Sequence, residues 1–137
     1  IHITRGDLIG QAISLVIAMQ TLKWTSEQTG KDNVEPQYDS NQISSAIEAC
    51  CKAEMQMKLV SEITNLDRLH VFYEDLVAEP EKVMQRVGLF LGRDLSDWQP
   101  GKVAIKRQAS ELNDQWRKRY LSDALGKLGV EAFNQDE

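Results

Sequence analysis

The order of strand-like and helical segments constrains the fold of this chain more than any other feature. Residues 1–4 and 69–73 are rich in β-branched, aliphatic and aromatic side chains, and the long stretch between them has helical periodicity. Two strands that are separated by helices are expected to pair in parallel, and the connection between them is expected to be a right-handed crossover. The sequence therefore predicts an α/β fold that is mostly helical in this chain, with about two parallel strands.

Apolar residues at three- and four-residue spacing predict four helices. They cover residues 8 to about 24, 40 or 41 to 63, 80 to 91, and about 110 to 126 or 129. Pro80 suits the first position of the third helix, and Gly92 suits its end. The polar segment 25–40 is predicted to be a loop. The apolar residues at this spacing in the second helix are Ile43, Ala46, Ile47, Cys50, Ala53, Met57, Val60 and Ile63.

Two strands alone make a small sheet. A parallel sheet is normally covered on both faces and has more strands than this. We therefore expect residues 1–137 to form a single domain that is the carboxyl-terminal portion of a larger α/β domain, with further strands upstream of Ile1. An unfinished sheet edge also favours self-association, so a homo-oligomer is one expected state.

Composition narrows the classes of function. The formal net charge of −5 argues against a surface that coats nucleic acid, and no apolar run is long enough to predict a membrane span. Cys50 and Cys51 are adjacent, which makes a structural disulfide improbable and favours a reducing, cytoplasmic setting. His2 and His70 stand too far apart in sequence to predict a metal site. A phosphate loop of the G-x-x-x-x-G-K-[ST] type is missing from these residues, which disfavours a kinase.

The first candidate site lies where the first strand gives way to a helix. Arg5 comes at the carboxyl end of the strand, Asp7 is predicted to cap the helix, and Ser14 follows two turns along the same face. An arginine beside a helix N-terminus favours anion binding. The alternative interpretation is a surface arginine and a serine bonded back to its own helix.

Two further segments contain polar residues near predicted element ends. In Tyr73-Glu74-Asp75-Leu76 the acidic pair is expected to end the second strand, with a catalytic role as the alternative. In Lys106-Arg107-Gln108, Arg107 precedes the probable cap Ser110, so its guanidinium and the helix amides are expected to converge on a phosphate. A solvated basic helix start is the alternative there.

Taken together, these segments resemble the bacterial sulfotransferases of the trehalose 2-sulfotransferase type. The matching pieces, in order, are Thr4-Arg5-Gly6-Asp7, Gln11-Ala12-Ile13-Ser14-Leu15, Gln20-Thr21, Trp24, Tyr38-Asp39, Tyr73-Glu74-Asp75-Leu76, Pro80, Phe90-Leu91-Gly92, Arg107-Gln108-Ala109, Asn113, Trp116 and Arg119-Tyr120. The resemblance implies a fold related to nucleotide kinases, part of which is present here. It also implies the sulfate donor 3′-phosphoadenosine 5′-phosphosulfate (PAPS) as co-substrate, and a carbohydrate or other small molecule as acceptor.

The resemblance also assigns roles to individual residues. It implies that Arg5 and Ser14 bind the 3′-phosphate of the donor and that Arg107 closes over the same nucleotide. Three further residues are expected where an acceptor approaches, namely Gln20, Trp24 and Tyr38. Gly6 stands where the family often has a second arginine.

The catalytic base and the loop for the 5′-phosphosulfate are expected upstream of Ile1. A chain without them is expected to lose rate enhancement, because sulfuryl transfer depends mainly on positioning and charge stabilisation. The alternative function is a non-catalytic, mostly helical module for protein association.

Overall fold

A computed structural model describes residues 1–24, 34–98 and 111–127 of the chain. Within these residues the elements are β1 (His2–Thr4), α1 (Leu8–Thr21), α2 (Ser40–Thr64), β2 (His70–Phe72), α3 (Tyr73–Ala78), α4 (Pro80–Leu91) and α5 (Glu111–Lys127). The predicted mixture of several helices and two strands is confirmed. The short helix α3 was not predicted, because the acidic pair after the second strand was taken as a strand end and not as a helix start.

The two strands pair in parallel, as predicted. Their register joins His2 to His70, Ile3 to Val71 and Thr4 to Phe72. Val71 is buried, whereas both of its neighbours in β2 are exposed. In the described part of the chain, the face of β2 that contains Val71 is therefore buried, and the face that contains His70 and Phe72 meets solvent.

Packing divides the chain into two compact units. The first contains Ile1–Asp7 and the described residues of Cys51–Arg107, and the second contains Leu8–Cys50 and the described residues of Gln108–Glu137. The core of the first unit is formed by Val71 from β2 with Val83 and Val87 from α4. The core of the second unit joins α1, α2 and α5 through Ala12, Ile13, Val16, Ile43, Ala46 and Trp116.

Helix ends follow local backbone chemistry. Pro80 is at the start of α4, and Gly92 ends it in the left-handed conformation with a φ of 61°, so both predictions for this helix are confirmed. Helix α1 stops at Thr21, earlier than the predicted Trp24, because Leu22 adopts a φ of 56°. Asn65, with a φ of 50°, ends α2 in the same way.

The apolar stripe of α2 is only half buried. Ile43 and Cys50 are buried, whereas residues 51–60, including Met57 and Val60, are all exposed, as is Ile63. The two adjacent cysteines mark the change, since Cys50 is buried and Cys51 is exposed. None of the described helices is both long and apolar enough to cross a bilayer.

Candidate functional site

Arg5 follows β1 directly and is half-buried in the first unit. Tyr73 follows β2 directly and is the first residue of α3. Because Thr4 pairs with Phe72 in a parallel register, the next residue of each strand emerges at the same edge of the sheet. The guanidinium carbon of Arg5 lies 4.3 Å from the centre of the Tyr73 ring, which is a cation–π contact.

Glu74 holds the turn that follows Arg5. Its carboxylate accepts hydrogen bonds from the backbone N–H of Gly6 at 3.0 Å and from that of Asp7 at 3.5 Å. Burial acts to raise the pKa of Glu74, but the backbone N–H donors and the nearby charge of Arg5 outweigh it and leave the pKa below its ordinary value. The carboxylate therefore stays ionised at neutral pH and keeps both bonds.

Ser14 lies on α1 in the second unit and is half-buried. Its hydroxyl oxygen accepts a hydrogen bond of 2.9 Å from the side-chain amide of Asn113 on α5. A hydroxyl that accepts through one lone pair keeps its own proton for another acceptor. The observed bond therefore joins α1 to α5.

Gln20 pairs with the backbone of the segment that leads into α2. Its carbonyl oxygen accepts from the N–H of Gln37 at 2.7 Å, and its amide donates to the Gln37 carbonyl at 3.0 Å. The same amide donates to the side chain of Gln42 at 3.1 Å. Gln20 thus fixes the chain immediately before Tyr38.

Tyr38 is enclosed by residues of α5. Its hydroxyl donates to Asp123 at 2.7 Å, its ring meets Trp116 edge to face at 5.6 Å, and the guanidinium of Arg119 lies 4.0 Å from the ring centre. Burial, and then the hydrogen bond to Asp123, raise the pKa of Tyr38 to about 12. The phenol is therefore neutral at physiological pH and held in one orientation.

The six predicted site residues fall in different parts of the chain. Arg5 belongs to the first unit, whereas Ser14, Gln20, Trp24 and Tyr38 belong to the second. Trp24 is exposed, and Arg107 lies outside the described residues. Within residues 1–24, 34–98 and 111–127, no three His, Cys, Asp or Glu side chains converge as metal ligands would.

Sequence reasoning assigned no nucleotide or acceptor role to several residues that contact the predicted site residues or, in the case of Glu74, the turn after Arg5. These are Tyr73, Glu74, Asn113, Arg119 and Asp123. The contact between Tyr73 and Arg5 follows from the register of the two strands. That register could be predicted only if the last residue of each strand were known. The contacts of α5 with α1 and Tyr38 have no local sequence signal.

Comparison with known proteins gives a consistent family. The model of the Stf0 sulphotransferase family matches residues 1–123. The chain is 28% identical over 124 residues to a trehalose 2-sulfotransferase of Mycolicibacterium smegmatis, a match that covers 90% of this chain and 46% of the relative. It is 25% identical over 130 residues to a trehalose 2-sulfotransferase of Mycobacterium tuberculosis, covering 95% and 48%. The chain thus spans about half the length of these curated relatives.

Proposed function

Because this chain belongs to the Stf0 sulphotransferase family, we propose that it forms the nucleotide-side part of a sulfotransferase. In this proposal the donor is PAPS and the acceptor is a hydroxyl of a carbohydrate or other small metabolite. The match over residues 1–123 is the observation that carries the proposal. The names of the two relatives support a carbohydrate acceptor.

The polar groups of the first unit fit a nucleotide phosphate. Arg5 stands at the carboxyl end of β1, where ligands of parallel sheets commonly bind, and its guanidinium offers five N–H donors in one plane. The guanidinium carbon of Arg5 lies over the ring of Tyr73, 4.3 Å from its centre. A guanidinium held in this way suits a dianionic phosphate, which accepts charge-assisted hydrogen bonds along the guanidinium edge.

In this proposal three residues of the chain bind the donor nucleotide during sulfuryl transfer. When bound, PAPS supplies an activated sulfuryl group whose transfer makes an S–O bond to the acceptor and breaks the one to the 5′-phosphate. Arg5 and Ser14 bind the 3′-phosphate, Arg5 by charge and Ser14 by donating its hydroxyl proton. Arg107 closes over the same nucleotide. We assign no catalytic base among the residues of this chain.

Three residues are proposed to meet the acceptor. The exposed indole of Trp24 suits stacking against the apolar face of a sugar ring. Gln20 and Tyr38 hold the segment before α2 in place for the acceptor. Gln20 fixes the backbone of Gln37, and Tyr38 is bonded to Asp123 of α5.

The finer features of the fold are proposals as well. We propose that the parallel pair belongs to a larger nucleotide-kinase-like sheet in one domain, because His70 and Phe72 leave one face of β2 exposed. A cytoplasmic setting and self-association stay predictions.

Calorimetry with 3′-phosphoadenosine 5′-phosphate, the product nucleotide, tests the proposal. We expect binding by the unmodified chain and a loss of about tenfold or more in Arg5→Ala and Arg107→Ala, because each removes a charged phosphate contact. Arg93→Ala removes an exposed arginine after α4 and is the matched control. A folded chain that does not bind, or that binds equally well in all three variants, would leave the association module as the better interpretation.

A further inference from the structure

Two residues outside the predicted nucleotide site hold the arginine of that site. We propose that Tyr73 and Glu74 are positioning residues, which orient Arg5 toward the 3′-phosphate of the nucleotide. This inference rests on the function proposed above. From the sequence, the segment that contains both residues is interpreted as the end of the second strand, with a catalytic role as the alternative.

Tyr73 restrains the guanidinium without using its hydrogen-bond donors. The 4.3 Å contact joins the guanidinium carbon to the face of the ring, and the N–H bonds of arginine all lie in the guanidinium plane. The contact therefore holds the guanidinium carbon over the ring, and in this proposal the N–H groups at the edge of the guanidinium bind the anion. An arginine side chain loses considerable rotamer entropy when it binds a ligand. Because Tyr73 already restrains Arg5 in the free protein, less entropy is lost on binding.

Glu74 restrains the backbone beside Arg5. Gly6 has no side chain and is the most flexible kind of residue in a turn, yet its N–H and that of Asp7 both donate to the Glu74 carboxylate. Among the described residues, no ion pair joins this carboxylate to Arg5. Glu74 therefore fixes the turn without neutralising Arg5 through direct contact.

Strand register explains why these residues act together. The pairing of Thr4 with Phe72 brings the residues after each strand to one edge of the sheet. The Arg5-Gly6-Asp7 turn and the Tyr73-Glu74 helix start thus form one rigid arrangement, although 68 positions separate Gly6 from Glu74. In this arrangement Tyr73 and Glu74 position Arg5, and Arg5 binds the 3′-phosphate.

The test compares two nucleotides that differ in the 3′-phosphate. Calorimetry with 3′-phosphoadenosine 5′-phosphate and with 5′-AMP gives an affinity ratio that reports contacts to that phosphate alone. We expect Tyr73→Leu to lower the ratio about three- to tenfold, as expected for loss of a cation–π support. Glu74→Gln, which keeps an acceptor but loses the charge, should lower it about threefold. Tyr73→Phe keeps the ring and should leave the ratio within about twofold.

The outcomes separate this inference from the proposed function. If the unmodified chain does not distinguish the two nucleotides, or if Arg5→Ala still does, the proposed function fails. If Arg5→Ala loses the distinction while Tyr73→Leu and Glu74→Gln keep it, only the positioning role fails.

A second readout needs no nucleotide and does not depend on the variants that are most prone to misfold. Protons of the Arg5 side chain that lie over an aromatic ring are shifted upfield in the NMR spectrum. We expect this shift in the unmodified chain and in Tyr73→Phe. Ordinary chemical shifts for Arg5 in the unmodified chain would overturn the inference.

Discussion

The side-chain amide of Asn113 donates a hydrogen bond to the hydroxyl oxygen of Ser14, over 2.9 Å between two helices. The bond fixes the Ser14 hydroxyl oxygen against α5, because that oxygen accepts from the amide. Asn113 therefore controls the orientation of a hydroxyl that the family resemblance assigns to the nucleotide.

Replacing Asn113 tests this control. Asn113→Asp places an acceptor opposite Ser14 and turns the serine proton away, so affinity for 3′-phosphoadenosine 5′-phosphate should fall about fivefold or more by calorimetry. Tyr120→Phe is the control, because Tyr120 bonds Ser44 at 3.0 Å and also joins two helices of this unit. Equal affinity in Asn113→Asp and Tyr120→Phe would argue against a role for Asn113 in binding.

Gly6→Arg should strengthen the nucleotide site. The family often has a second arginine at this position, and a Cβ built on Gly6 meets the Glu74 carboxylate at 3.7 Å, which is ordinary contact. We expect an unchanged melting temperature and about three- to tenfold tighter binding of 3′-phosphoadenosine 5′-phosphate, from one added charge-assisted contact. Gly6→Gln is the uncharged control, and equal gains in both variants would contradict the charge argument.

Two of the helical glycines, Gly88 and Gly126, should respond in opposite ways to alanine. A Cβ on Gly88 would lie 2.7 Å from the backbone oxygen of Arg93, so Gly88→Ala should lower the free energy of unfolding by about 1–3 kcal/mol. Nothing lies within 4 Å of a Cβ on Gly126 in α5, so Gly126→Ala should raise it by about 0.5 kcal/mol. Urea denaturation measures both, and a neutral Gly88→Ala would mean that this turn relaxes freely.

Mild acid should destabilise the strand pair through His2. Burial, then the charges of Arg68 and His70, lower the pKa of His2, while Glu54 acts in the opposite direction. The folded chain thus takes up a proton at His2 less readily than the unfolded chain. Stability is unaffected above pH 6.5 and falls as the pH drops below 6.5 toward the folded pKa. His2→Gln should flatten this part of a melting-temperature profile, and parallel profiles would exclude His2 as the cause.

Tyr38 should stabilise the second unit until strongly alkaline pH. Its pKa is raised to about 12, so the contribution of its hydrogen bond is complete below pH 10 and is lost as the pH rises through about 12. Tyr38→Phe removes the bond to Asp123 and should cost about 1 kcal/mol in urea denaturation at pH 7. Asp123→Asn in the Tyr38→Phe background should lower the free energy of unfolding little further. If the effects of the two substitutions were fully additive, the two residues would be independent.

The sequence predicted the elements more accurately than their surroundings. Pro80 and Gly92 fixed both ends of α4 because each acts through its own backbone. The exposure of α2 beyond Cys50 could not be predicted, since periodicity identifies an apolar face but not whether another element covers it. The contact of Arg5 with Tyr73 was missed for a similar reason, because it depends on a register between distant strands.

The adjacent thiols of Cys50 and Cys51 give this chain a natural reporter. Cys51 is exposed and can take a thiol-reactive dye at once, whereas Cys50 is buried and must wait for the helix to open locally. Labelling should therefore proceed in two phases, and the rate of the slow phase reports how often the helix opens locally at Cys50. No engineered cysteine is needed to follow that opening when a nucleotide is added.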